Sequence, residues 1–198
     1  MLVLGAAYAN VASAEIYLGF GLSQVSIRGD LDGDSAIVGG GAIEILPKVA
    51  TDSGTKIVVG SRNGRVATEV SLTASSHNGN WIGFETPVDF ASLNLDAKLD
   101  TSPRRGGAYL LGGIALTTLT VTDGSSDGVI VTDAVYHGFD FRLGLGFEVF
   151  FTRHVAIDAQ AVYRFGSYSS VDGVFRTSID GEVNGDGSTL FVGAYYYL

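Results

Sequence analysis

The 198-residue sequence contains no cysteine, which removes any disulfide framework and any thiolate-based metal or redox centre. Basic residues are scarce: 12 Lys and Arg stand against 21 Asp and Glu, for a net charge of −9. A chain of that sign is a poor partner for nucleic acid. Charged residues of either sign make up only 17%, and mean hydropathy is +0.29. Even so, no stretch of 18 or more strongly apolar residues lies beyond the N-terminus, which argues against helical membrane spans. What the chain does have is glycine, 28 residues of it, and apolar side chains at every second position. A chain of this length forms one domain, or at most one and a small appendage. Being apolar on average yet polar at alternate positions, it calls for a burial scheme in which one face of each strand meets something other than water.

Residues 1–14 are apolar and end in Ala12-Ser13-Ala14, a small-x-small cleavage pattern before Glu15. There is no basic residue before Arg28, so the expectation is a secretory signal peptide truncated at its N-terminus, with the mature domain over 15–198. A buried apolar N-terminal helix is the other reading of the same stretch.

Period-two alternation bounded by turn residues marks eight strands: Glu15–Ile27, Lys56–Arg62, Arg65–Ser75, Phe90–Leu99, Ala108–Thr120, Phe139–Phe151, Val155–Gly166 and Thr189–Leu198. Asn63-Gly64 is a strong hairpin signal and predicts Arg62 opposite Arg65, with Val58 opposite Glu69. The sixth strand is the clearest, with Phe139, Phe141, Leu143, Leu145, Phe147 and Val149 against Asp140, Arg142, Gly144, Gly146 and Glu148. The fifth is apolar on both faces in its middle, and its inward face stays open. A ten-strand count would need Ala36–Leu46 and one further strand. Short connections (63–64, 100–106, 152–154) alternate with long ones (28–55, 76–89, 121–138, 167–188). This is the pattern of an up-and-down antiparallel barrel with short periplasmic turns and longer external loops.

A soluble eight-stranded barrel would show the same alternation turned inside out, with its charges in water. Three features favour a membrane barrel. Glycines 19, 21, 60, 144 and 146 interleave the charged face, as in a cramped interior. The apolar face runs for about six alternate positions, enough to match a bilayer's apolar band. Aromatic residues Phe139, Phe165 and Tyr196 lie near strand ends on that face, where an interfacial girdle belongs. The C-terminal stretch fits as the closing strand, with Leu190, Val192, Ala194, Tyr196 and Leu198 toward lipid and Phe191, Gly193 and Tyr195 toward the lumen.

With Gly144–Phe151, Val155–Phe165 and that last strand in view, the chain resembles the eight-stranded outer-membrane β-barrels of Gram-negative bacteria, the outer-membrane protein A-like small barrels. The resemblance implies location in the cell outer membrane, contact with its lipid and lipopolysaccharide, and handling by the barrel-assembly machinery during biogenesis. It also implies that the last strand carries an assembly signal at Leu190, Val192, Ala194, Tyr196 and Leu198. Leu198 stands where such proteins end in Phe or Trp. Roles within this family vary, so the resemblance says more about fold than about activity.

Nine charged residues fall on the inward parity: Lys56, Arg62, Glu69, Asp96, Lys98, Arg142, Glu148, Asp158 and Arg164. An eight-stranded barrel is just wide enough for side chains to fill it, so these predict a salt-bridged plug of near-balanced sign. A narrow small-solute pore is the alternative. Glu148 and Asp158 are expected opposite one another, separated by a Lys or Arg from a neighbouring strand. The long connections are acidic. Asp30-Leu31-Asp32-Gly33-Asp34 departs from a calcium loop, with Gly at its fourth position and Gly41 at its twelfth. Asp180, Glu182, Asn184 and Asp186 make a second acidic cluster. Ser75 and His77 share a face near the external rim, but their order does not match that of a lipid A deacylase, and His154 and His137 are badly placed. The expectation is therefore no enzyme, no cofactor and no metal, but a structural or surface-interaction role in envelope integrity or adhesion. A host or matrix ligand would be an unidentified one.

Overall fold

The computed structural model describes residues 14–31, 35–38, 42–45, 47–81, 84–102, 106–122, 134–172 and 176–198. The N-terminal apolar stretch 1–13, and with it the expected signal peptide, lies outside them. Among the described residues twelve strands are formed: β1 Glu15–Ile27, β2 Ser35–Val38, β3 Ala42–Ile45, β4 Lys48–Val49, β5 Asp52–Asn63, β6 Val66–Trp81, β7 Phe84–Asp100, β8 Gly107–Val121, β9 Ala134–Phe150, β10 Val155–Asp172, β11 Arg176–Asn184 and β12 Gly187–Tyr197. Eight of them, β1, β5, β6, β7, β8, β9, β10 and β12, pair in that order, and β12 then pairs β1 to close an antiparallel barrel. The remaining four are short pieces at the long-connection end, where β2 pairs β3 and β11, and β4 pairs β6. Within 36–46, the described residues of β2 and β3 thus pair with one another outside the barrel circuit rather than forming a ninth barrel strand.

Burial alternates along most of the barrel strands, with a break at the end of β1, where Val25, Ser26 and Ile27 are all buried. In β7 the inward positions Ser92, Asn94, Asp96 and Lys98 are buried, while Leu93, Leu95 and Leu99 are exposed. The same parity leaves Phe141, Leu143, Leu145 and Phe147 of β9 on the outside, each more than half exposed. The outer wall is therefore an apolar belt around a polar lumen, the arrangement a barrel needs in lipid and the reverse of a soluble one. In β8, whose inward face the sequence leaves open, Tyr109, Leu111, Ala115 and Thr117 point in and Leu110, Ile114 and Leu116 point out.

The strands run further than the alternation predicts. β6 and β7 continue until Trp81 faces Phe84, so the expected loop 76–89 is mostly hairpin. At 17 residues and about 3.3 Å each, β7 is roughly 55 Å long, well beyond an apolar band of about 25 Å even when tilted. Beyond the band the pattern inverts. Val25, Ile27, Val88, Phe90, Leu119, Val121, Tyr136 and Tyr168 turn inward and, with Leu31 and Val49 from the first long connection, form a buried apolar cluster. The outward positions there are Gln24, Ser53, Ser76, Asp89 and Thr120. This upper section is a small water-facing barrel built on top of a lipid-facing one.

The tight turn between β5 and β6 also differs from expectation. Asn63 pairs Val66 and Gly60 pairs Glu69, a shift of the register by two residues that keeps every side chain on its face. The two loop residues are Gly64, at φ +60°, and Arg65, whose Nε and Nη2 donate to the Asp100 carbonyl at 3.0 and 2.7 Å. Glycine takes the left-handed position and Arg65 is held by the neighbouring hairpin.

Candidate functional site: the lumen and the outer wall

All nine charged residues singled out by parity are buried in the lumen, each at 5% exposure or less. Two further carboxylates join them, Asp100 and Asp140. Asp140 sits on the inward parity of β9 and was legible there; Asp100 ends β7, where the sequence places a connection. Among the described residues the ion pairs and hydrogen bonds of these eleven groups fall into four sets.

The largest is centred on Lys98, whose Nζ lies 2.5 Å from Glu69 Oε1 and 3.3 Å from Asp158 Oδ2. Tyrosines complete it: Tyr17 donates to Glu69 at 2.8 Å and Tyr109 to Asp158 at 2.8 Å, while Lys98 donates to the Tyr195 oxygen at 3.2 Å. Gln160 bridges from Tyr195 to Lys56, with Lys56 Nζ 2.9 Å from its amide oxygen. At the short-turn end Arg62 binds Asp100 at 2.7 Å and Glu148 at 2.5 Å, and Tyr197 donates to the other Glu148 oxygen. Arg142 meets Asp96 at 3.1 Å. Nearest the long-connection end, Arg164 pairs Asp140 at 3.0 Å and lies over the Phe90 ring, 4.6 Å from its centroid. Glu148 does stand opposite Asp158 in the β9–β10 ladder, with Arg62 and Lys98 drawn to them from other strands.

The lumenal tyrosines are seated on glycines. Tyr17 pairs Gly60, Tyr195 pairs Gly19 and Tyr109 pairs Gly146, each directly across a ladder. A Cβ on any of these glycines would run into the ring opposite it. These three glycines are thus seats for rings; Tyr17 and Tyr109 put their hydroxyls on carboxylates, while the Tyr195 oxygen accepts from Lys98 and Gln160. Sequence reasoning found the glycines but not their partners.

Ser75 and His77 are brought together on β6, in the upper section. His77 Nδ1 lies 2.7 Å from the Ala50 carbonyl, which can only accept, so Nδ1 carries the proton and Nε2 accepts from the Ser75 hydroxyl at 2.7 Å. Both side chains are buried, and the bond to Ala50 ties the chain entering β5 to β6. His154 instead sits at the short-turn end, its Nδ1 2.9 Å from the Tyr197 carbonyl. Of the acidic clusters, Asp30 accepts from the Asn184 amide at 2.8 Å and Asp186 from the Gly166 amide at 3.1 Å. Asp32, Gly33, Asp34 and Gly41 lie outside the described residues. Among the described residues no group of three or more His, Cys, Asp or Glu is arranged to hold a metal ion.

On the outer wall Leu190, Val192, Tyr196 and Leu198 are exposed and Ala194 shares their face, while Phe191, Tyr195 and Tyr197 fill the lumen. Phe139, Phe165 and Tyr196 all lie outward, as expected of a girdle.

No protein-family model and no curated protein matches the sequence. Solved structures do match. They include Neisserial surface protein A, at 16% identity over 91% of this chain and 96% of that one, with a TM-score of 0.58. Ail, the attachment invasion locus protein of Yersinia pestis solved with the heparin analogue sucrose octasulfate, matches at 15% identity over 93% of this chain and 99% of that one, with a TM-score of 0.52. A major outer membrane protein of Thermus thermophilus matches at 11% identity over 94% of this chain and 100% of that one, with a TM-score of 0.54. The fold is therefore that of the small outer-membrane barrels, which agrees with the apolar belt seen on this wall.

Proposed function

We propose that the protein is a non-conducting surface protein of the outer membrane, acting through its external end in adhesion or envelope integrity. The observation that carries this reading is the lumen, filled across its width by ion pairs and seated tyrosines and capped by the apolar cluster of the upper section. Such a barrel offers its outer end rather than a passage. The short turns face the periplasm and the long connections the exterior.

The charge of that end narrows the partner. The connections 28–55, 76–89, 121–138 and 167–188 carry fourteen acidic residues and only three basic ones, Arg28, Lys48 and Arg176. The Ail structure was solved with a sulfated heparin analogue. A polyanion of that kind needs basic side chains, and this chain has the opposite balance, so a cationic protein face is the better fit. Ser75 and His77 serve as a tie between β6 and the start of β5, and no catalytic role is assigned to them.

Protein in lipid nanodiscs, passed over immobilised polylysine and over immobilised heparin, tests this. Salt-sensitive retention on polylysine alone is expected, weakened by Asp180→Asn with Glu182→Gln. Retention on heparin would count against it.

A further inference from the structure

The outer wall of β6, β7 and β8 is graded in rows. Ladder pairing aligns Val70 with Leu95 and Ile114, then Leu72 with Leu93 and Leu116, then Ala74 with Ala91 and Thr118, then Ser76 with Asp89 and Thr120. All of these face outward, so the wall passes within four rows from large apolar to small to polar. At about 6.6 Å per row the four span roughly 20 Å. Two depressions lie along this track. The lower, of about 320 Å³, is walled by Val70, Leu93, Leu95, Ile114, Leu116 and Phe139. The upper, of about 460 Å³, is walled by Ser53, Thr55, Ser76, Asp89, Thr118 and Thr120 over a floor containing Ala74 and Ala91. The upper one lies where the apolar belt ends, at the level of lipid headgroups.

We propose that the two depressions are one site for a glycolipid, an acyl chain lying in the lower and an uncharged sugar headgroup in the upper. The chain would lie along the apolar rows, where its contacts are dispersive. The chemistry of the headgroup follows from what lines the trough: five outward hydroxyls and one carboxylate, besides the inward Ser75, with no Lys or Arg among the lining residues. Asp89, which accepts from Ser76 at 2.7 Å, has further lone pairs for hydroxyl donors. A phosphate placed there would meet the Asp89 carboxylate with no Lys or Arg among the lining residues to offset it. A sugar's hydroxyls can both donate to Asp89 and accept from the Ser and Thr hydroxyls. Ala74 and Ala91 make the room, because larger side chains at those positions would fill the trough. This site is independent of any partner bound at the external end.

The test is lipid retention, read by native mass spectrometry of the purified protein offered equal amounts of glucosyl diacylglycerol, phosphatidylglycerol and bis-phosphorylated lipid A. Native protein is expected to retain the glucosyl lipid at least about ten-fold over either phosphorylated lipid. Ala91→Leu with Thr118→Leu should abolish that preference, whereas Ala159→Leu on the far wall should leave it unchanged. These substitutions face outward, and heat-modifiable gel migration checks that each variant folds. Equal retention of the three lipids, a preference for either phosphorylated one, or an unaltered preference in the filled variant would overturn the proposal. Should the filled variant not fold, Ser76→Ala with Asp89→Asn gives the same readout, with loss of preference expected and its persistence contradicting the site.

Discussion

The ring of Tyr17 lies on Gly60, its direct partner across the β1–β5 ladder, and its hydroxyl reaches over to Glu69 at 2.8 Å. A glycine on one strand thus places a hydrogen bond to a carboxylate on the next. Gly60→Val should displace the ring and leave Glu69 with Lys98 but without the Tyr17 donor, costing about 1–3 kcal/mol from overpacking alone. Adding Tyr17→Ala to that variant should recover part of the loss, because the ring that clashes is gone. Urea unfolding in detergent or lipid measures both; a double variant less stable than Gly60→Val would contradict the pairing.

Arg62 is shared between Asp100 and Glu148, all three buried at the short-turn end. Removing one member of a buried pair leaves an uncompensated charge, so Arg62→Met should cost about 3–5 kcal/mol. Combining it with Asp100→Asn and Glu148→Gln should restore much of that. Equal stability of Arg62→Met and the native protein would mean that the pair is hydrated rather than buried.

The outer belt gives a prediction of opposite sense to that of a soluble barrel. Leu145→Arg places a charge at mid-belt and should cost about 2–4 kcal/mol in lipid. Asn78→Arg, outward on the upper section of β6, should cost almost nothing, since that part of the wall faces water. Similar costs for the two would contradict the boundary drawn between belt and upper section.

That boundary also explains what was legible in the sequence. The eight barrel strands, their antiparallel order and the inward parity of Lys56, Arg142 and Asp158 follow from alternation alone, because one face must meet lipid throughout the belt. The strand ends were not legible. At Phe90 and Leu119 the apolar parity passes from the outer face to the inner, so an alternation followed from the belt breaks there although the strand continues. The open face of β8 has the same origin, since Leu111 and Leu119 point in while Leu110 and Leu116 point out. The tyrosine seats were hidden for a different reason. Tyr109 and Gly146 are 37 positions apart in the chain, and only a settled register shows that they meet.

The last strand closes the circle by pairing both β1 and β10, Leu18 facing Tyr196 on one side and Val155 facing it on the other. Deleting residues 190–198 should therefore block insertion more severely than deleting 123–130 from the connection between β8 and β9. Membrane fractionation with heat-modifiable gel migration reads the difference. Normal insertion of the C-terminal truncation would contradict the closing role of β12 and the assembly signal proposed at Leu190, Val192, Ala194, Tyr196 and Leu198.

On the proposed reading, the lumen of this membrane barrel is shut by its own side chains. Single-channel recording of the purified protein in planar lipid bilayers addresses it most directly. A silent bilayer is expected even when insertion is verified, and discrete, reproducible conductance steps from the native protein would contradict a closed lumen.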